Sequence, residues 1–121
     1  MLIIKDTERI PKQSRGYSVA IGNFDGLHLG HLSVISLAQN HGKELDTGVL
    51  TFEPHPRQFF NKNQPKFRLM NAETRLNTLK DLDLDVLFEI PFNQSLATLR
   101  PEDFVEKILI EKLNIKHIVV G

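Results

Sequence analysis

The chain contains no cysteine. Disulfides, thiolate metal sites and a thiol nucleophile are thereby excluded. Net charge is missing too, because fifteen acidic side chains balance fifteen lysines and arginines. No basic stripe alternates with aromatic residues, so polymeric nucleic acid is not an expected partner. No apolar run approaches the roughly 20 residues that a membrane helix requires. The opening Met-Leu-Ile-Ile-Lys-Asp-Thr-Glu-Arg lacks the long apolar segment of a secretory signal. The simplest expectation is a cytoplasmic protein with no membrane partner. Internal repeats, low-complexity tracts and Pro-, Gly- or Ser-rich linkers are also absent.

What remains is an ordinary globular composition, 40% apolar and 25% charged over 121 residues, which suits one domain. Apolar runs alternate with helix-like segments. Leu2–Ile4, Tyr17–Gly22, Thr47–Glu53, Val86–Ile90 and His117–Val120 read as strands. Leu32–His41 reads as a helix closed by Gly42, and a second helix runs from an Asn71 cap to about Leu82, with Leu76 and Leu79 inward. Pro54, Pro56 and Pro65 predict an irregular loop reaching Leu69. A third helix starts at Pro101, although Arg100 is a poor cap. Phe104, Val105, Ile108, Leu109 and Leu113 form its expected apolar face. This alternation predicts an α/β fold around a mostly parallel sheet. Ligands of such sheets bind beyond the carboxyl ends of the strands, where Gly22, Glu53 and Gly121 should lie.

The richest segment is Gly-Asn-Phe-Asp-Gly-Leu-His-Leu-Gly-His at 22–31. Glycines at a strand-to-helix junction let backbone N–H groups approach a ligand, and the helix N-terminus behind them carries partial positive charge. His28 and His31, three residues apart, share one side of the first helical turn. That arrangement suits a nucleoside triphosphate under attack at phosphorus. Simpler readings stand beside it. The two imidazoles can cap or pack the helix, or share a metal with Asp25, Glu53 or His55. Gly22, Gly26 and Gly30 can be plain turn residues, and Asp25 a helix cap. Between them, Gly30 and the glycine-rich approach favour an anion over a metal held by the imidazoles, and Asn23, Phe24 and Asp25 are expected to line the nucleotide pocket.

A second segment, Glu53-Pro54-His55-Pro56-Arg57, is stiffened by two prolines. Its polar groups are held at low entropic cost, and Arg57 can meet a phosphate. The plain alternative is a surface turn with Phe59 or Phe60 packed inward. Glu73 with Arg75, the series Asp81, Asp83 and Asp85, and Lys107 with Glu111 read as solvated faces, and His41 and His117 lack a supporting constellation.

The string Ala-Ile-Gly-Asn-Phe-Asp-Gly-Leu-His-Leu-Gly-His at 20–31 resembles the signature of the His-x-Gly-His nucleotidyltransferase superfamily. With Thr-Phe-Glu-Pro-His-Pro-Arg at 51–57 and Leu-Arg-Pro-Glu-Asp-Phe-Val at 99–105, it is similar to the FMN adenylyltransferase module of bacterial bifunctional riboflavin kinase/FMN adenylyltransferases, the FAD synthetases. The resemblance implies a Rossmann-like nucleotidyltransferase fold and transfer of AMP from ATP to FMN. It implies that His28 and His31 hold the ATP phosphates, with Mg2+ carried on those phosphates. It also implies that Glu53, Pro54, His55, Pro56, Arg57 and Phe59 or Phe60 form the flavin side of the site. In that family Val-Val-Gly precedes an Asp-Phe-rich loop, an Ile-Ser-Ser-Thr-type motif and a riboflavin kinase domain. None of these follows Val-Val-Gly at 119–121. Residues 1–121 are therefore expected to be a partial FMN adenylyltransferase domain, whose missing C-terminal portion is a candidate partner.

Overall fold

Three of the central apolar runs are long enough to be buried on both faces, which is the pattern of a parallel sheet covered on either side. The computed structural model describes residues 1–8, 15–24, 29–41, 44–54, 56–60 and 72–120, with Arg57, Gln58 and Ala72 as backbone alone. Five strands, β1 (Leu2–Ile4), β2 (Tyr17–Ile21), β3 (Asp46–Glu53), β4 (Val86–Pro91) and β5 (Ile115–Val120), form one sheet in the order β1-β4-β3-β2-β5. Every pairing is parallel. The strands β2, β3 and β4 are laid side by side in one direction. From β4 the chain returns to the far side of β2 to place β5, so the strand order reverses between β2 and β5.

Alternation along the strands divides the core in two. Val19, Leu50, Val86, Phe88 and Ile90 pack on one face with Ile108, Leu109 and Leu113. Ala20, Val49 and Leu87 pack on the other with Ile35 and Ala38 of α1 (Leu29–His41) and Leu79 of α3 (Ala72–Lys80). The strands β3 and β4 touch so closely at Gly48 that a Cβ there would stand 2.3 Å from Val86 Cγ1. The glycine is required by that contact.

Most expected elements are present, with shifted bounds. Helix α1 starts at Leu29, not Leu32, which brings His31 into its first turn. The strand β2 stops at Ile21, β3 begins at Asp46, β4 extends to Pro91 opposite Glu53, and β5 begins at Ile115. The helix expected to reach Leu82 ends at Lys80. The proline-rich stretch is not wholly irregular, because α2 (Pro56–Phe60) starts on Pro56, whose ring suits a first helical position. One short helix was not anticipated: α4 (Gln94–Ala97), capped by Asn93, whose Oδ1 accepts from Leu96 N–H at 2.9 Å. The caps expected at Gly42 and Asn71, and the loop from 61 to 69, lie outside the described residues, as do Asp25, Gly26, His28, His55 and Gly121.

The third helix corrects its expected face. It opens at Pro101 as α5 (Pro101–Asp103), with no side-chain bond from Arg100, and widens into a π-helix over Phe104–Lys112. Leu113 N–H donates to Ile108 C=O, five residues back, at 2.9 Å. The wider turn brings Phe104, Ile108, Leu109 and Leu113 onto the sheet and rotates Val105 outward to 42% exposure. Asn114, with φ of 55°, ends it in the left-handed conformation that Asn tolerates.

Candidate nucleotide site

The reversal of strand order between β2 and β5 marks the carboxyl-edge crevice where sheets of this kind take ligands. The chain leaves β2 there. Gly22 N–H donates to Leu50 C=O at 3.1 Å, and a Cβ at Gly22 would press on the Phe24 ring at 3.2 Å. Phe24 has a φ of 56°, an uncommon backbone conformation for a bulky residue, and costs roughly 1–3 kcal/mol. Its ring is fully buried among Ala20, Ile35 and Ala38. Phe24 was expected to line the nucleotide pocket. It is instead an internal prop, because its apolar ring gains more by joining the core.

His31 lies half-buried in the first turn of α1, its ring edge-on to Phe24 with centroids 5.4 Å apart. Gly30 precedes it in the same turn, and no acidic residue occupies that turn. Helix N-termini favour acids at this place, and the positive dipole end of α1 suits an external anion. Phe24 and His31 meet where β2 gives way to α1, with Gly22 and Asn23 preceding the one and Gly30 the other, while His28, Asp25 and Gly26 lie outside the described residues.

The proline-stiffened segment continues that edge. Glu53–Pro54 is a cis peptide, and Pro56 opens α2, which carries Phe59 and Phe60. Phe92, just beyond β4, meets Phe59 and Phe60 with centroids 5.3 and 5.9 Å away. Phe52 meets Phe92 at 5.6 Å and Phe104 at 5.9 Å. Phe60 stays 64% exposed. These rings form one cluster of edge-on and tilted contacts, with Phe60 as its exposed member. Phe92 and Phe104 were not anticipated in it, since neither lies near Phe59 in sequence.

Glu53 turns to the opposite face of the sheet from Phe52. There Arg75, expected on a solvated face, is 2% exposed. Its Nη2 donates to Glu53 Oε2 at 3.2 Å and stands 3.8 Å from Glu89 Oε2. Its Nη1 donates to Asn23 C=O at 3.2 Å. A buried guanidinium needs such partners, and no local spacing announces them. Glu73, by contrast, is exposed, as are Asp81, Asp83, Lys107 and Glu111. Asp85 is exposed as well but accepts from Thr47 N–H at 2.8 Å. His117 also departs from expectation: its Nδ1 lies 2.9 Å from Ser18 Oγ, and its ring stacks on His41 at 4.9 Å. This cluster lies at the amino ends of β2 and β5, away from the junction.

Among the described residues, no group of three or more His, Asp or Glu is placed to hold a metal ion. A separate cavity of about 420 Å³ opens at the carboxyl ends of β1 and β4, lined by Lys5, Ile90, Asn93, Leu96, Leu99 and Lys112 among others. Among the described residues no helix is long and apolar enough to cross a membrane.

A glycine turn and an acid-free helix start at the switch point of a parallel sheet define an α/β fold of the nucleotidyltransferase type. A crystal structure described as a macrolide-efflux protein from Streptococcus pneumoniae has the same fold, with a TM-score of 0.77 and 27% identity. The similarity covers 99% of this chain and 40% of that one. The sequence model of the FAD synthetase family matches residues 10–121, and the chain belongs to that family. It is 39% identical, over its whole length, to a bifunctional riboflavin kinase/FMN adenylyltransferase of Buchnera aphidicola subsp. Schizaphis graminum. The protein of the same description from Bacillus subtilis is 37% identical over 91% of the chain. That from Escherichia coli K12 is 31% identical over 88%. The chain spans 39%, 36% and 34% of the lengths of these three relatives.

Proposed function

We propose that this chain is an FMN adenylyltransferase module. An oxygen of the FMN phosphate attacks the α-phosphorus of ATP in line, the bond to pyrophosphate breaks, and FAD is formed. No side chain need form a covalent intermediate, so catalysis comes from positioning and charge stabilisation. The observation that carries this reading is His31 in the acid-free first turn of α1, its ring against Phe24 in the turn that leaves β2.

The ATP phosphates sit on the α1 N-terminus, with His31 and His28 donating to them as negative charge develops. Gly22, Gly26 and Gly30 allow the backbone to approach, while Asn23 and Asp25 border the nucleotide. Mg2+ arrives on the ATP phosphates, which supply its oxygen ligands. The flavin ring stacks against Phe59 and Phe60, with Phe92 behind them. Pro54, His55, Pro56 and Arg57 shape the wall nearest the FMN phosphate. Residues 1–121 act as one such unit in the cytoplasm, where ATP is available.

The test is direct. The protein is incubated with ATP, Mg2+ and FMN, and the flavins are separated. FAD and pyrophosphate in equal amounts support the reading. ATP binding without FAD points to a nucleotide-binding remnant, and turnover with CTP or a non-flavin phosphate acceptor points to another nucleotidyltransferase.

A further inference from the structure

The Arg75 guanidinium reaches both halves of the proposed site from behind. It stands on α3, outside both motifs, and is 2% exposed. Nη1 holds the carbonyl of Asn23 at 3.2 Å, with Asn23 Oδ1 at 3.5 Å, in the turn that follows β2. Nη2 holds Glu53 Oε2 at 3.2 Å, at the end of β3 where the proline-stiffened loop begins. Glu89 of β4 stands 3.8 Å from the same nitrogen, and Lys5, just past β1, stands 3.8 Å from Glu89. The Asn23 carbonyl and the carboxylates of Glu53 and Glu89 thus meet at one guanidinium, and Lys5 extends the cluster to β1.

We infer that Arg75 is a positioning residue that sets the distance between the nucleotide-binding turn at Asn23 and the acceptor-side loop at Glu53. This inference rests on the adenylyltransferase reading. Its physical basis is the planar, rigid fork of the guanidinium, which fixes two partners relative to each other as a flexible ammonium does not. Two positive groups, Arg75 and Lys5, face two carboxylates, Glu53 and Glu89, so the cluster is neutral. Arg75 is committed to these partners and does not itself touch a phosphate. Stability alone is a weak reason for such a group, because buried ion pairs often do no better than apolar residues of similar size. The neighbouring core, with Leu79, Leu84 and Leu87, is apolar. In-line transfer, however, needs donor and acceptor atoms held within about 3–3.5 Å, and a shift of an ångström can cost about a hundredfold in rate. Arg75 bridges the two segments whose separation decides that distance.

The test uses two variants of the same bond and one beside it. Arg75→Lys keeps the charge but loses the fork, and Glu53→Asp keeps the carboxylate but shortens its arm. Each should lower kcat about tenfold or more while the KM values for ATP and FMN change less than about threefold. The double variant should lose no more than the worse single variant, because both break one tie. Glu89→Gln, whose carboxylate stands 3.8 Å from Arg75 rather than 3.2 Å, should lower the melting temperature and leave kcat within about twofold. Rates are compared well below each variant's melting temperature, so a loss of folded protein is not mistaken for slow chemistry. Either single variant with wild-type kcat, or additive losses in the double, overturns the inference while FAD formation by the wild type leaves the proposed function standing. A wild type that forms no FAD overturns the function itself, and this inference with it.

Discussion

The rings of Phe24 and His31 meet edge-on, with centroids 5.4 Å apart and planes 63° from parallel. Phe24 is fully buried and His31 is half-exposed, so this contact links the core to the candidate phosphate site. The aromatic edge fixes the imidazole at the helix start. Phe24→Leu keeps most of the volume but removes that edge, and should cost about 1 kcal/mol of stability. ATP affinity should fall, and FMN affinity should not. Calorimetric titration with each substrate, beside urea melts, checks both. Unchanged ATP affinity would separate the ring from the site.

Ser18 fixes a tautomer. Its hydroxyl donates to Ala38 C=O at 2.7 Å, and a hydroxyl has one proton to give. His117 Nδ1, 2.9 Å away, must then donate to Ser18 Oγ, so neutral His117 carries its proton on Nδ1. Nitrogen NMR of the imidazole should show the Nδ1–H form. Ser18→Ala strands both partners in a buried site and should cost about 1–3 kcal/mol. An Nε2–H tautomer, or a neutral Ser18→Ala, would contradict the arrangement.

Tyr17 makes stability sensitive to alkali. Burial raises its phenol above the ordinary value of 10.0, and Asp46 and Asp85 add to the rise. The folded state therefore holds this proton more tightly than the unfolded chain. The resulting stability is fully present below about pH 10 and is lost as pH climbs through the folded-state value. Tyr17→Phe should flatten that alkaline decline in urea melts. Because Tyr17 is the chain's single tyrosine, with no tryptophan to overlap it, near-ultraviolet absorbance follows its ionisation directly. Titration at or below the ordinary value would refute the effect.

Local order was the legible part of this chain. The strands, the start of a helix soon after β2 and the prolines at 54 and 56 are marked by residues adjacent in sequence. Arg75 was misread because Asn23, Glu53 and Glu89 come from three separate strand ends, and a surface-like Glu73 stands two residues away. His117 was missed for the same reason, since its partner Ser18 lies 99 positions earlier. Val105 was placed inward on a regular helical period, and only the five-residue return of Leu113 to Ile108 shows the wider turn. Phe92 follows a strand that ends in proline, and nothing local ties it to Phe59. Contacts between distant segments were the illegible part.

The seat of the triphosphate decides the account. A structure of the protein with a non-hydrolysable ATP analogue should place the phosphates on the first-turn N–H groups of α1, within hydrogen-bond reach of the His31 ring. Phosphates lodged instead in the cavity beside Lys5 and Lys112, or a metal ion clasped by the His31 ring, would contradict it.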